Sequence, residues 1–185
     1  MKDIKVITTP LTQDKVEKLK SGDIVHITGT IYTARDAAHK RLVEAINKKE
    51  NLPFELKDSV IYYVGPTPNR PGKVIGSAGP TTSYRMDDLT VPLLNLGLKG
   101  MIGKGNRSEN VIDEMKKTKA VYFAAIGGAG AFISSSIKES KVVAYDDLGS
   151  EAIRELKVEN FPAIVVIDSK GNNLYQTERQ KYEKK

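Results

Sequence analysis

Gly79-Pro80-Thr81-Thr82-Ser83-Tyr84-Arg85-Met86-Asp87 stands directly after the apolar run Lys73-Val74-Ile75-Gly76-Ser77-Ala78. The run reads as a short buried strand, and Gly79-Pro80 as its end. Three hydroxyl side chains follow in a row, with Arg85 just behind them. Hydroxyls at a helix start favour an anion, because free N–H groups and the helix dipole both attract negative charge. An Arg adds a planar fork suited to a carboxylate or phosphate. The same residues also read as an ordinary helix cap on a solvated turn. Chemistry alone leaves both readings open, and the rest of the chain has to decide.

The 185 residues suit one domain, or one domain with an extension. With 39% hydrophobic and 28% charged residues, a packed core is expected and disorder is not. There is no Trp and aromatics are sparse, so a stacking platform for single-stranded nucleic acid would have few rings. The absence of Cys excludes disulfides, thiolate nucleophiles and the usual ligands of an iron–sulfur cluster on this chain. With only His26 and His39, a self-contained zinc site is not expected.

The start Met1-Lys2-Asp3-Ile4-Lys5 is charged, with no long apolar stretch after it, so neither a signal peptide nor a membrane span is expected. A cytoplasmic protein fits these features. The net charge of +6 raises nucleic acid as a partner, but Lys and Glu alternate along the polar segments as on an ordinary surface. A small anion explains a few special cations equally well.

In chain order, residues 10–20 read as a short helix with Thr12 as cap, and Ser21-Gly22-Asp23 as a turn. Residues 23–31 alternate as a strand that contains His26. Residues 34–46 open a helix with Ala38, Leu42, Ala45 and Ile46 on one face. Arg35 opposes the dipole at its first turn, which makes sense if an anion fills the gap. Asp36 can pair with Arg35 or with an exposed N–H, and His39 lies one turn on. A plain surface Arg and surface His is the other reading.

Residues 59–64 read as a strand, and 65–72 as a Pro-rich turn returning hairpin-like into 73–78. Residues 89–98 read as a helix entered through Pro92. Gly100-Met101-Ile102-Gly103 ends a buried strand, and Ser108 caps a helix to about Lys117. Gly103-Lys104-Gly105 lacks both the third glycine of a dinucleotide loop and the Gly-Lys-Ser/Thr of a P-loop. Lys104 is placed either to reach a ligand or to move freely on the surface.

Residues 120–126 form the most strand-like run of the chain. Gly127-Gly128-Ala129-Gly130-Ala131 then allows close approach of a ligand, a helix or a partner. Residues 149–156 read as a short helix and 161–167 as a strand. A turn over 168–172 leads into 173–175, and residues 177–185 read as a charged, frayed tail after a single domain over 1–176.

Taken together, these segments resemble one family. Ser21-Gly22-Asp23 through Gly29 with Ala34-Arg35-Asp36-Ala37-Ala38-His39, then Gly79-Pro80-Thr81-Thr82 with Arg85-Met86-Asp87, then Gly103-Lys104-Gly105-Asn106 are similar to three signatures of the class I (iron–sulfur) fumarate hydratase beta subunit. The beta subunit of L(+)-tartrate dehydratase shares them. Ala124 through Ala131, Asp147-Leu148-Gly149 and Phe161-Pro162-Ala163 resemble later segments of the same family, in the same order.

The resemblance implies an α/β fold of the swivelling β/β/α type. It implies a hetero-oligomer in which a partner alpha subunit, and not this chain, binds a [4Fe–4S] cluster. The implied reaction is reversible hydration of fumarate to (S)-malate, with one iron as Lewis acid. Arg35, Arg85 and Lys104 would hold the carboxylates of the dicarboxylate substrate, and Thr81 would sit beside the carbon that exchanges a proton. Asp36, His39 and Thr82 would support them. The alternatives are tartrate as substrate, or a non-catalytic anion-binding or assembly domain. Neither a nucleic acid nor a membrane is an expected partner.

Overall fold

A computed structural model of the chain describes residues 3–126 and 128–182. It runs β1 (Ile4–Thr8), α1 (Gln13–Glu17), β2 (Ile24–Thr33), α2 (Asp36–Lys48) and β3 (Val60–Tyr62). A 3-10 turn over Ser83–Met86 leads into α3 (Asp87–Asn95), followed by β4 (Gly100–Gly103), α4 (Glu109–Thr118) and β5 (Val121–Ala124). Then come α5 (Gly130–Ser135), β6 (Ile137–Ala144), a second 3-10 turn over Asp146–Glu151, β7 (Ile153–Ile167) and α6 (Leu174–Tyr182). The fold is mixed α/β.

The strands form a seven-stranded sheet in the order β1-β2-β3-β4-β5-β7-β6, and β2 also pairs with β7. The pairings therefore run β2–β3–β4–β5–β7 and back to β2, closing a hydrogen-bonded ring. Strands β1 to β5 pair parallel, while β7 is antiparallel to β2, β5 and β6. The closure depends on the 15 residues of β7. Its second half pairs with Ile24–Ile27 on one edge and with β5 on the other, and its first half pairs with Gly29–Tyr32 and with β6. The register slips between Ile27 and Gly29. Gly29 takes φ +125° there, and a Cβ would lie 2.3 Å from Thr9 Oγ1, so the bulge requires glycine.

Alternation along the strands feeds two cores. On β3, Val60 and Tyr62 join one, with Val16 of α1 and Ile133 of α5; Ile61 joins the other, with Leu42, Leu93 and Val111 of α2, α3 and α4. Helix α2 buries Ala38, Leu42 and Ala45 at helical spacing. Leu42 is fully buried, so Leu42→Ala would cost about 2–5 kcal/mol. Helix α4 starts as read: Ser108 Oγ accepts from Val111 N at 3.4 Å, Glu109 sits in the first turn, and Lys116 and Lys117 in the last.

Several expectations need correction. Residues 73–78 are not a strand. Strand β3 already has β2 and β4 on its two edges, so no slot exists for a hairpin return. The segment instead folds onto its own loop, where Thr67 N donates to the Ser77 carbonyl at 3.0 Å and Ser77 N to Thr67 Oγ1 at 2.8 Å. Residues 149–156 are not a helix: Gly149, at φ 57° and ψ −113°, breaks the turn, and β7 begins at Ile153. Helix α3 opens at Asp87 and carries Pro92 inside it, because the 3-10 turn before it has already set the helical direction.

Strand β1 was not among the expected strands; it is an edge strand with Val6 exposed. After the 168–172 turn, a single bridge between Ile167 and Asn173 gives way to α6, which runs to Tyr182. Residues 183–185 of the expected tail lie outside the described residues. No helix among the described residues is long and apolar enough to cross a membrane.

Candidate functional site

The loop 79–87 is fastened across the ends of β3 and β4. Thr81 N donates to the Tyr63 carbonyl at 2.7 Å, just past β3, and Ser83 N to the Lys104 carbonyl at 2.9 Å, just past β4. Thr82 and Lys104 form a parallel bridge. Gly103 makes this possible: a Cβ there would stand 2.0 Å from Ser83 Oγ. The small-residue segment packs against the start of the same loop. Ala78 N donates to the Gly130 carbonyl at 3.1 Å, and a Cβ on Gly130 would stand 2.8 Å from Gly79 N. At Gly130 the close approach comes from this chain's own backbone at Ala78 and Gly79, rather than from one of the three occupants expected for residues 127–131.

The hydroxyl row does not cap a helix. Thr82 makes no side-chain cap bond, and Ser83 is buried with its Oγ 2.9 Å from Tyr122 OH. Thr81 and Arg85 lie one turn apart, with Arg85 Nη2 3.5 Å from Thr81 Oγ1. Arg85 Nη2 also donates to Asp36 Oδ2 at 3.1 Å. Arg35 Nη2 is 3.7 Å from that same Asp36 oxygen and 3.5 Å from Glu151 Oε1. Arg35, Asp36, Thr81 and Arg85 are thus linked side chain to side chain. Lys104 joins them through its backbone; its ammonium is exposed and has no partner among the described residues.

Arg35 at the start of α2 is explained by Glu151. That carboxylate accepts from Ala37 N at 3.0 Å, so it caps the helix while facing the guanidinium. Part of the anion that the sequence asks for at this end comes from the chain itself. Glu151 was not singled out in the sequence, because it arrives from a turn more than a hundred residues away.

His39 is not a surface residue. It is fully buried, with Nδ1 3.0 Å from the Arg35 carbonyl and its ring edge-on to Tyr63 at 5.2 Å. A carbonyl only accepts, so Nδ1 carries the proton. Nε2 is then an unprotonated, buried atom with no hydrogen-bond partner among the described residues. Burial lowers the His39 pKa to about 4, against the upward pull of the Arg35 carbonyl. The ring is therefore neutral, and its contact with Arg35 is to the backbone carbonyl.

Three further residues matter that the sequence did not mark: Tyr63, Asp87 and Arg107. The Arg107 and Asp87 side chains form a buried ion pair at 2.6 Å. Asp87 closes the second motif quoted for the family resemblance and Arg107 follows directly after the third, but nothing in composition separated them from ordinary polar residues.

No group of three or more potential metal ligands occurs among the described residues, and the chain has no thiolate. These residues do not fit an iron–sulfur cluster. A cavity of about 510 Å³ lies away from the linked residues, between the 67–77 loop and α5; none of Arg35, Thr81, Arg85 or Lys104 lines it.

The fold and the linked residues define the class: an α/β domain that brings Arg35, Asp36, Thr81 and Arg85 into contact. The chain belongs to the fumarase C-terminus family, whose model matches residues 1–178. It is 42% identical over 181 residues to a Methanocaldococcus jannaschii protein provisionally named L(+)-tartrate dehydratase subunit beta, covering 94% of this chain and 93% of that one. It is 45% identical over 153 residues to the anaerobic class I fumarate hydratase of Escherichia coli, and 40% identical over 168 residues to fumarate hydratase 2 of Leishmania major. Those matches cover 81% and 88% of this chain, but only 28% and 30% of the two relatives. The chain thus spans nearly all of the tartrate dehydratase beta relative and less than a third of the two hydratases.

Proposed function

We propose that this chain is the beta subunit of an iron–sulfur-dependent hydro-lyase that reversibly hydrates fumarate to (S)-malate in the cytoplasm. It has the swivelling β/β/α arrangement, works as part of a hetero-oligomer, and is inactive without a cluster-bearing alpha subunit. The [4Fe–4S] cluster belongs to that partner. The observation that carries the reading is the contact of Arg85 with both Thr81 Oγ1 and Asp36. It supports a guanidinium held beside a hydroxyl, where a carboxylate and the carbon next to it can be met together.

Arg85, Arg35 and Lys104 bind the two substrate carboxylates. A dianion needs more than one fixed cation, and a guanidinium fork matches a carboxylate edge. Asp36 holds the two guanidinium groups in place, with Thr82 and His39 supporting the backbone and Arg35. Thr81 holds the proton beside the reacting carbon. A hydroxyl is a weak base, and the adjacent Arg85 cation favours its deprotonated form.

A second reading keeps the chemistry and changes the substrate to tartrate. The near full-length match to the tartrate dehydratase beta relative favours it. An anaerobic assay of this chain co-expressed with its alpha subunit, on fumarate, (S)-malate and L(+)-tartrate, tests both. Turnover of fumarate and malate is expected. Turnover of tartrate alone moves the assignment to the second reading, and turnover of none of the three rejects both.

A further inference from the structure

We infer that Arg107 is a positioning residue for the 81–87 loop, acting through Asp87, Thr90 and Tyr63. This rests on the proposed roles of Thr81 and Arg85.

The Arg107 side chain has no solvent exposure, yet each arm of its fork is used. Nε donates to Asp87 Oδ1 at 2.6 Å, Nη1 to Tyr63 OH at 3.1 Å and Nη2 to Thr90 Oγ1 at 2.9 Å. Each acceptor leads back to the loop. Asp87 is its last residue, and its other oxygen accepts from Ser108 N at 2.6 Å. Thr90 Oγ1 donates to the Met86 carbonyl at 2.7 Å. The Tyr63 carbonyl receives Thr81 N at 2.7 Å. One buried guanidinium therefore reaches both ends of the segment that carries Thr81 and Arg85.

The middle of the loop is tied to the same group. Arg107 Cζ lies 5.3 Å from the ring centres of both Tyr63 and Tyr122. Tyr122 OH meets Ser83 Oγ and donates to the Gly105 carbonyl, each at 2.9 Å. Burial works against the Arg107 cation, but Tyr63 and Asp87 outweigh it and the group stays charged.

Apolar residues of similar volume would fill such a space with no desolvation penalty. What they would lack is a rigid fork with donors in three fixed directions. A Lys ammonium at one point cannot meet all three acceptors. The arrangement suits a loop whose Thr81 and Arg85 must be held to within a fraction of an ångström.

The test uses the chain assembled with its cluster-bearing partner. Thr90→Val and Tyr63→Phe each remove one acceptor and keep the packing; Thr90→Ser keeps the hydroxyl. Steady-state kcat and KM are read beside the thermal midpoint, and Arg107→Lys is added if it folds. Thr90→Val and Tyr63→Phe should still fold and assemble, with the midpoint lowered by the unpaired Arg107 donor, while kcat/KM of the folded, assembled enzyme for the dicarboxylate drops about tenfold or more. Thr90→Ser should retain wild-type kinetics. Wild-type kinetics in Thr90→Val and Tyr63→Phe, or equal losses in Thr90→Ser and Thr90→Val, overturn the positioning role alone. A loss that only tracks the amount of folded protein does the same. An inactive wild-type assembly rejects the hydro-lyase reading itself, and this inference with it.

Discussion

Arg85 donates to Asp36 across 3.1 Å, although the two residues are 49 positions apart in the chain. The contact joins the 3-10 turn before α3 to the first turn of α2. Asp36 also stands 3.7 Å from Arg35, so one carboxylate sits between two cations that would otherwise repel.

This arrangement makes Asp36→Asn informative. Both ion pairs are partly exposed, so the loss of stability should stay within about 1 kcal/mol. Activity should suffer more, because two guanidinium groups lose their common anchor. We expect KM for the dicarboxylate to rise about tenfold, measured by initial rates on the assembled enzyme, with the thermal midpoint almost unmoved. An unchanged KM would remove Asp36 from the account.

Gly103→Ala should disturb the loop from the β4 side. The added methyl would stand 2.0 Å from Ser83 Oγ and 3.0 Å from the Tyr63 ring. Overpacking of this kind costs about 1–3 kcal/mol, read as a shift of the urea midpoint. Adding Ser83→Ala should recover part of that loss, since the nearest clashing atom is gone. If the double variant is no more stable than Gly103→Ala, the clash lies elsewhere.

His39 gives a pH dependence with a definite sign. Its pKa falls from the ordinary imidazole value of 6.5 to about 4 in the fold, so the unfolded chain binds the proton more readily between those values. Stability from the neutral, buried ring is fully present above pH 6.5 and is lost as pH falls toward 4, in total about 3 kcal/mol. His39→Leu should flatten that part of the profile when urea unfolding is followed from pH 7 to pH 4. Parallel profiles for the two proteins would show that His39 does not titrate as a buried neutral group.

Much of the framework was legible in the sequence. The alternation of residues 24–31 and the Ser108 cap announced β2 and α4, because both signals are local. Val74 and Ile75 misled, since an apolar pair reads as a strand only if the sheet has an open edge beside it. Here β3 is flanked by β2 and β4. The length of β7 was hidden because residues 149–156 read as a helix, which left only 161–167 as a strand, with Pro162 inside. The structure accommodates it because Pro162 lies beyond Ile164, the partner of the last β5 residue, Ala124. At the site, Arg35, Thr81 and Arg85 were visible as chemistry out of place, a cation at a helix start and hydroxyls in a row. Glu151, Tyr63 and Arg107 were not, because their importance lies in contacts across the sheet, which no local pattern encodes.

The central claim is that Arg85 grips a carboxylate of the substrate beside Thr81. Steady-state kinetics of Arg85→Ala, in the chain assembled with its cluster-bearing partner, test it most directly. With assembly and iron content equal to wild type, kcat/KM on fumarate should fall about a hundredfold or more, through both a higher KM and a lower kcat. Kinetics within a factor of about two of wild type would contradict the account.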